Sequence, residues 1–211
     1  LILEACAGSL QQAVSAENLG ADRVEICARL DLEGLTPDMK MIKASVKGLK
    51  IPSKIMIRPR GGGFLYSDTE IKKMGSNIDF CRSIGIGEVV LGALTKVGEV
   101  DIKTVSRLSD RAYPMKVTFH KAIDHSNDIL KSIESLCHVE GVTSILTSGG
   151  KRSALEGRSM IKQIIKEFSS ELKIIVAGKI TKYNLSRVHG EVGAKEYHGK
   201  RIVGELANLE R

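Results

Sequence analysis

The chain has no tryptophan and only 4 Tyr and 4 Phe in 211 residues. Proteins that hold single-stranded nucleic acid stack bases on aromatic side chains. With so few aromatics, and with its Lys and Arg scattered along the chain, the net charge of +7 describes a solvated basic surface and not a nucleic-acid interface. No apolar run reaches about 18 residues, which excludes a transmembrane helix. The four cysteines, Cys6, Cys27, Cys81 and Cys137, are widely spaced and contain no CxxC pair. That excludes a disulfide framework and a compact zinc motif, and it makes a reducing cytoplasm the expected compartment. No signal peptide is visible, and the opening on strand-like Leu1-Ile2-Leu3 without a methionine reads as a chain lacking a few leading residues. No linker or low-complexity tract divides the sequence, so its length and its 42% hydrophobic content predict one domain, 1–211, with a substantial core.

What is present is a repeat. Gly20-Ala21-Asp22-Arg23-Val24-Glu25, Gly85-Ile86-Gly87-Glu88-Val89-Val90, Gly141-Val142-Thr143-Ser144-Ile145-Leu146 and Gly193-Ala194-Lys195-Glu196-Tyr197-His198 each place a glycine after a helical stretch and before a strand. Further strands are predicted at Ile2–Cys6, Lys54–Arg58, Lys116–His120 and Lys173–Ala177. Helical patterns cover Leu10–Leu19, Pro37–Val46, Thr69–Ile84, Ile102–Arg111, Ile129–Val139, Ala154–Phe168 and Lys182–Val188, with Lys200–Arg211 as a shortened eighth helix. Strict alternation of strand and helix implies a parallel sheet with right-handed crossovers, and eight such units imply a compact (β/α)8 TIM-type barrel. An open doubly wound sheet is the alternative, disfavoured by the absence of GxGxxG after the first strand.

The segment Ile55-Met56-Ile57-Arg58-Pro59-Arg60-Gly61-Gly62-Gly63 ends an apolar strand in two arginines and a glycine turn. Two arginines at a strand's end are costly unless something anionic meets them. Arg58 and Arg60 therefore read either as a clamp for an acidic ligand or as bridges to neighbouring carboxylates. In a (β/α)8 barrel the functional mouth lies at the carboxyl ends of the strands. Those ends carry Glu4 with Cys6, Glu25 with Cys27, Arg58 with Arg60, Gly92, Thr118 with His120, Ser148-Gly149-Gly150, Ala177-Gly178 and Glu196 with His198. Alternation along each strand turns Val24 and Ile26 toward the helices, leaving Glu25 and Cys27 to face the interior. Two neighbouring strands bring Cys6 and Cys27 near one another, either as thiolate ligands for a soft metal such as Cu(I) or as small buried hydrophobes. Glu4, Glu25 and His120 are the candidates for proton transfer if the protein is an enzyme. His120 and His198 are candidate metal ligands or satisfied interior histidines. Ser148, Gly149 and Gly150 offer backbone N–H groups to an anion, or form an ordinary turn. His125, His138 and His189 read as surface.

Several of these segments, in this order, resemble the CutC family, described as copper homeostasis proteins. They are Leu3-Glu4-Ala5-Cys6, Gly20 to Cys27, Glu33-Gly34-Leu35-Thr36-Pro37, Ile57 to Asp68, Thr118 to Asp124, Thr147-Ser148-Gly149-Gly150 with Ser153 to Gly157, and Glu196-Tyr197-His198. The resemblance implies a cytoplasmic TIM-type barrel that forms homo-oligomers, a dimer or tetramer, with Cys6 and Cys27 at the positions of the proposed copper ligands. The sequence departs from the family pattern at Glu33, at Lys121 after His120, and at Gly178-Lys179 after the seventh strand. Two functions follow as expectations: a copper homeostasis protein binding Cu(I), or a barrel enzyme acting on a small phosphate- or carboxylate-bearing metabolite.

Overall fold

In the computed structural model, which describes residues 1–207, eight parallel strands close into a barrel in sequence order. They are β1 (Ile2–Ala7), β2 (Arg23–Ile26), β3 (Ser53–Met56), β4 (Glu88–Leu91), β5 (Lys116–Phe119), β6 (Val142–Thr147), β7 (Lys173–Val176) and β8 (Glu196–Gly199), with β8 paired back to β1. The helices between them are α1 (Leu10–Asn18), α2 (Met39–Gly48), α3 (Asp68–Ser83), α4 (Ile102–Ala112), α5 (Ile129–Cys137), α6 (Arg158–Phe168) and α7 (Leu185–Val192). The (β/α)8 expectation holds.

Local chemistry sets the helix starts. Ser9, Asp38, Asp101 and Asp128 each accept a first-turn backbone N–H, and Ser67 forms a reciprocal capping box with Glu70. The four repeat glycines, Gly20, Gly85, Gly141 and Gly193, all adopt left-handed backbone with φ between 69° and 90°. This is the conformation in which a helix ends and hands over to a strand.

Three helix expectations need correction. The Ala154–Phe168 helix begins only at Arg158, because the Ala154 N–H is spent on Gly178 O at 3.0 Å, which ties this segment to the end of β7. The Lys182–Val188 helix begins at Leu185 and runs on to Val192, after a turn in which the Thr181 N–H donates to Asn184 Oδ1 at 2.8 Å. No helix forms over the described part of Lys200–Arg211. That segment runs irregularly back across the barrel wall, where the Lys182 N–H meets Arg201 O and the Ala207 N–H meets Ser15 Oγ. Residues 208–211 of that expectation lie outside the described residues.

Strand alternation divides the interior cleanly. Ala5, Val24, Ile26, Ile55, Ile57, Val89 and Leu91 belong to the main apolar layer between sheet and helices. Cys6, Cys27, Met56 and Val90 form a separate small cluster inside the barrel, as do Leu146, Ile175 and Ala177. Beneath them the barrel floor is ionic. Arg23 pairs with Glu4 and with Glu196 (2.6 Å). Lys54, only 2% exposed, reaches Glu4 at 3.1 Å, Glu88 at 2.9 Å and Thr118 Oγ1 at 2.9 Å. The Thr118 and Ser144 hydroxyls complete the shell of Glu88.

Removing one partner from a buried ion network strands the charge left behind, at a cost of about 3–5 kcal/mol. Lys54→Met is therefore expected to lower the unfolding free energy by about that amount in chemical denaturation. A loss under about 1 kcal/mol, the value of an exposed pair, would mean that the floor carries no stability.

Candidate functional site

The register β1–β2 sets Cys6 opposite Glu25, and the Cys27 N–H continues the ladder to Ala7 O at 2.9 Å. Three inward side chains thereby converge. Cys6 Sγ lies 3.6 Å from Cys27 Sγ, and both thiols face the same oxygen, Glu25 Oε2, at 3.5 and 3.2 Å. His198, on the neighbouring β8, completes the group: its Nδ1 lies 2.7 Å from Glu4 Oε1 and its Nε2 3.9 Å from Glu25 Oε2. Cys27 is shielded by the loop that follows it, which the Ala28–Leu35 bridge closes.

The electrostatics follow from this packing. Burial alone would raise Glu4, but Lys54, His198 and Arg23 outweigh it and hold its carboxyl far below the usual range. Glu4 is therefore a fixed anion with both oxygens committed, a positioning group and not a proton carrier. The hydrogen bond from Cys27, helped by the cationic His198, brings the Cys6 thiol down to about 5 against its burial. Cys27 moves the opposite way, well above its ordinary value, through the same hydrogen bond and its own burial. Their contact pulls the two thiols apart in acidity, favouring ionisation of Cys6 over Cys27. Burial, with Cys6 and Glu4 nearby, raises Glu25 to about 8. His198 loses by burial but gains more from Glu25, Cys6 and Glu4, and is held protonated.

Among the described residues, two groups of donors have ligand-like geometry: Cys6, Glu25 and Cys27, and Glu4, Glu25 and His198. The second shares Glu4, whose oxygens are saturated by Arg23, Lys54 and His198. The first keeps a free atom, since Glu25 Oε1 is buried without a hydrogen-bond partner. Soft thiol donors with an adjacent imidazole fit a soft metal. The carboxylate on His198 Nδ1 orients the ring in the manner common to metal-binding histidines.

The remaining predicted residues are placed differently. Arg58 is 3% exposed and lines the mouth, yet its guanidinium donates to Leu32 O, Gly34 O and Gly62 O and lies over the Phe64 ring. Arg60 does not reach the mouth. It donates to Gly61 O, Gly63 O and Leu65 O and pairs with Glu70 at 2.6 Å, bracing its own glycine loop. The expected anion cradle at Ser148, Gly149 and Gly150 is also corrected. The Ser148 and Gly150 N–H groups are taken by the chain's own Asp124 carboxylate at 2.9 Å, and the Gly149 N–H by Thr147 Oγ1. His120 sits on the opposite wall, packed against Phe64, with Nδ1 accepting the Ala122 N–H at 3.2 Å. Gly92 makes room for it, because a Cβ there would come within 2.5 Å of His120 Nδ1.

Sequence reasoning missed Lys54, Glu88 and Arg23, and it placed Glu196 at the mouth beside His198, whereas the structure pairs Glu196 with Arg23 in the ionic floor. Glu88, Arg23 and Glu196 occupy corresponding places in three of the four glycine repeats, a signal that could have found them.

A model of the CutC family matches residues 1–203. The chain belongs to the CutC family. It is 40% identical to a human protein named copper homeostasis protein cutC homolog over 93% of this chain and 72% of that one. It is 37% identical to a CutC family protein of Pasteurella multocida over 93% of this chain and 80% of that one. The crystal structure of a CutC protein from Streptococcus agalactiae superposes with a TM-score of 0.91 at 31% identity, covering 96% of this chain and 99% of that one. The barrel described above is thus the fold of a CutC protein.

Burial, with Arg58 and His125 nearby, lowers His120 to about 3 from its ordinary 6.5. Between those values the unfolded chain binds a proton at this site and the folded chain does not, so this contribution to stability is present above 6.5 and is lost as pH falls. The parent should therefore lose stability more steeply than His120→Asn between about pH 6.5 and 4, measured by denaturant midpoints. Parallel pH profiles would contradict the buried neutral state.

Proposed function

We propose that this CutC-family chain handles copper by binding Cu(I) between Cys6 and Cys27, with His198 Nε2 as a third donor. The carrying observation is the 3.6 Å approach of the two Sγ atoms over one shared carboxylate oxygen. Thiolate is a preferred ligand of Cu(I), and a thiol must lose its proton to bind. Cys6 ionises the more easily of the two thiols, and metal binding displaces the Cys27 proton and the Nε2 proton of His198. The ionic floor supports the site indirectly, by fixing the ring of His198.

This reading includes a reducing, cytoplasmic location, which suits four free cysteines, and a homo-oligomeric state, dimer or tetramer, carried over from the family resemblance.

Competition with a Cu(I) chelator under reducing conditions tests the proposal. The parent should bind one Cu(I) per chain. Cys6→Ser/Cys27→Ser should weaken binding by at least about a hundredfold, while Arg60→Met, outside the site, should bind as the parent does. Binding indifferent to both thiols would overturn the proposal.

A further inference from the structure

The thiol pair occupies only the base of a much larger space. A cavity of about 710 Å³ opens above Cys6, Glu25 and His198 at the carboxyl ends of the strands. That is far more room than a metal ion needs, and it lies in the range of small-molecule sites. Its walls are apolar along Leu30, Met56, Phe64, Leu146, Ala177 and Ile180. Such a lining suits a ligand with a carbon skeleton.

Two buried donors on this wall lack a well-formed hydrogen bond. His120 Nε2 is without a hydrogen-bond partner, and Arg58 Nε lacks one of good geometry, with the equally buried Tyr66 hydroxyl beside its guanidinium. Because His120 Nδ1 accepts the Ala122 N–H, the neutral ring carries its proton on Nε2, as a donor. A buried donor left unpaired costs about 1–3 kcal/mol. Such an atom calls for a partner, which ordered water, an ion or a ligand in the cavity can supply.

The rim is predominantly cationic. Arg152, Lys179 and Lys200 line the opening, are exposed, and make no ion pair among the described residues. Lys179 is held there at some cost, with a left-handed φ of 55° that lysine rarely adopts. Against these cations, the described residues of the cavity wall offer only Glu25 and Glu33 as carboxylates.

We propose that the mouth of this barrel binds a small organic anion, its carboxylate or phosphate drawn in by Arg152, Lys179 and Lys200 and its acceptor atoms met by His120 Nε2 and Arg58 Nε. The site is separate from the Cu(I) reading, since none of these five residues is a donor to the thiol centre. The ligand's apolar body packs on Met56, Phe64 and Leu146, above the thiols.

The test uses isothermal titration calorimetry on the full chain carrying Cys6→Ser/Cys27→Ser, so that metal binding plays no part. The probes are glycerol 3-phosphate, malonate and, as a neutral control, glycerol. Saturable binding of one anion at a single site per chain is expected, weakening as salt is raised, with no response to glycerol. Comparing glycerol 3-phosphate with malonate separates a phosphate from a carboxylate preference. Arg152→Glu/Lys179→Glu/Lys200→Glu, confined to exposed positions that leave the fold intact, should weaken binding at least about tenfold. His120→Asn should weaken it several-fold. Absence of binding by both anions at millimolar concentration would overturn the proposal. So would binding that is unchanged in both the rim and His120 variants.

Discussion

Everything above the barrel floor depends on the pairing of Glu4 with Arg23, Lys54 and His198. A carboxylate that is 1% exposed survives as an anion only because three cations surround it. Each cation is balanced in turn: Arg23 by Glu196, Lys54 by Glu88 and His198 by Glu25, with the Thr118 and Ser144 hydroxyls filling the remaining positions around Glu88. The network spans strands from both sides of the closure, so it joins β8 and β1 to β2, β3, β4, β5 and β6. TIM barrels commonly fill this space with branched apolar side chains. Here charge replaces them, and the exchange gives direction. Glu4 fixes the plane of His198, His198 presents Nε2 toward Glu25, and Glu25 receives both thiols.

Moving up the barrel, the chemistry passes from ions through thiols to an open, cation-rimmed mouth. The elements that look most like anion binders in isolation have been turned to building that mouth. Arg58 holds the loops after β2 and β3 together through their carbonyl oxygens. Arg60 does the same within its own loop. Asp124 fills the glycine turn after β6, locking the loop after β5 to the loop after β6. What these contacts leave over, the unpaired atoms of Arg58 and His120 and the free rim cations, is where a ligand's interactions remain to be made.

The sequence made the architecture legible because its signals were local. The glycine repeat marks helix ends directly, and alternation at Val24, Glu25, Ile26 and Cys27 assigns faces without any knowledge of neighbours. The approach of Cys6 to Cys27 was legible as far as two adjacent strand ends allow. The partners of Arg58, Arg60 and the Ser148–Gly150 turn were not, because carbonyl oxygens are present in every residue and carry no sequence signature. Asp124 lies 24 residues before Ser148, a distance at which nothing local points from one to the other. Two helix starts were misplaced for different reasons: a tertiary hydrogen bond to Gly178 O overrides helical patterning at Ala154, and a local turn closed by the Thr181 N–H on Asn184 Oδ1 delays the next helix to Leu185.

The central claim is that the floor-oriented His198 and the two strand-end thiols form one metal centre. X-ray absorption at the copper edge, on the Cu(I)-loaded parent and on His198→Ala, tests it most directly. The account predicts two sulfur neighbours and one nitrogen in the parent, with the nitrogen lost and both sulfurs kept in the variant. A parent spectrum with only nitrogen or oxygen neighbours, or one unchanged by His198→Ala, would contradict it.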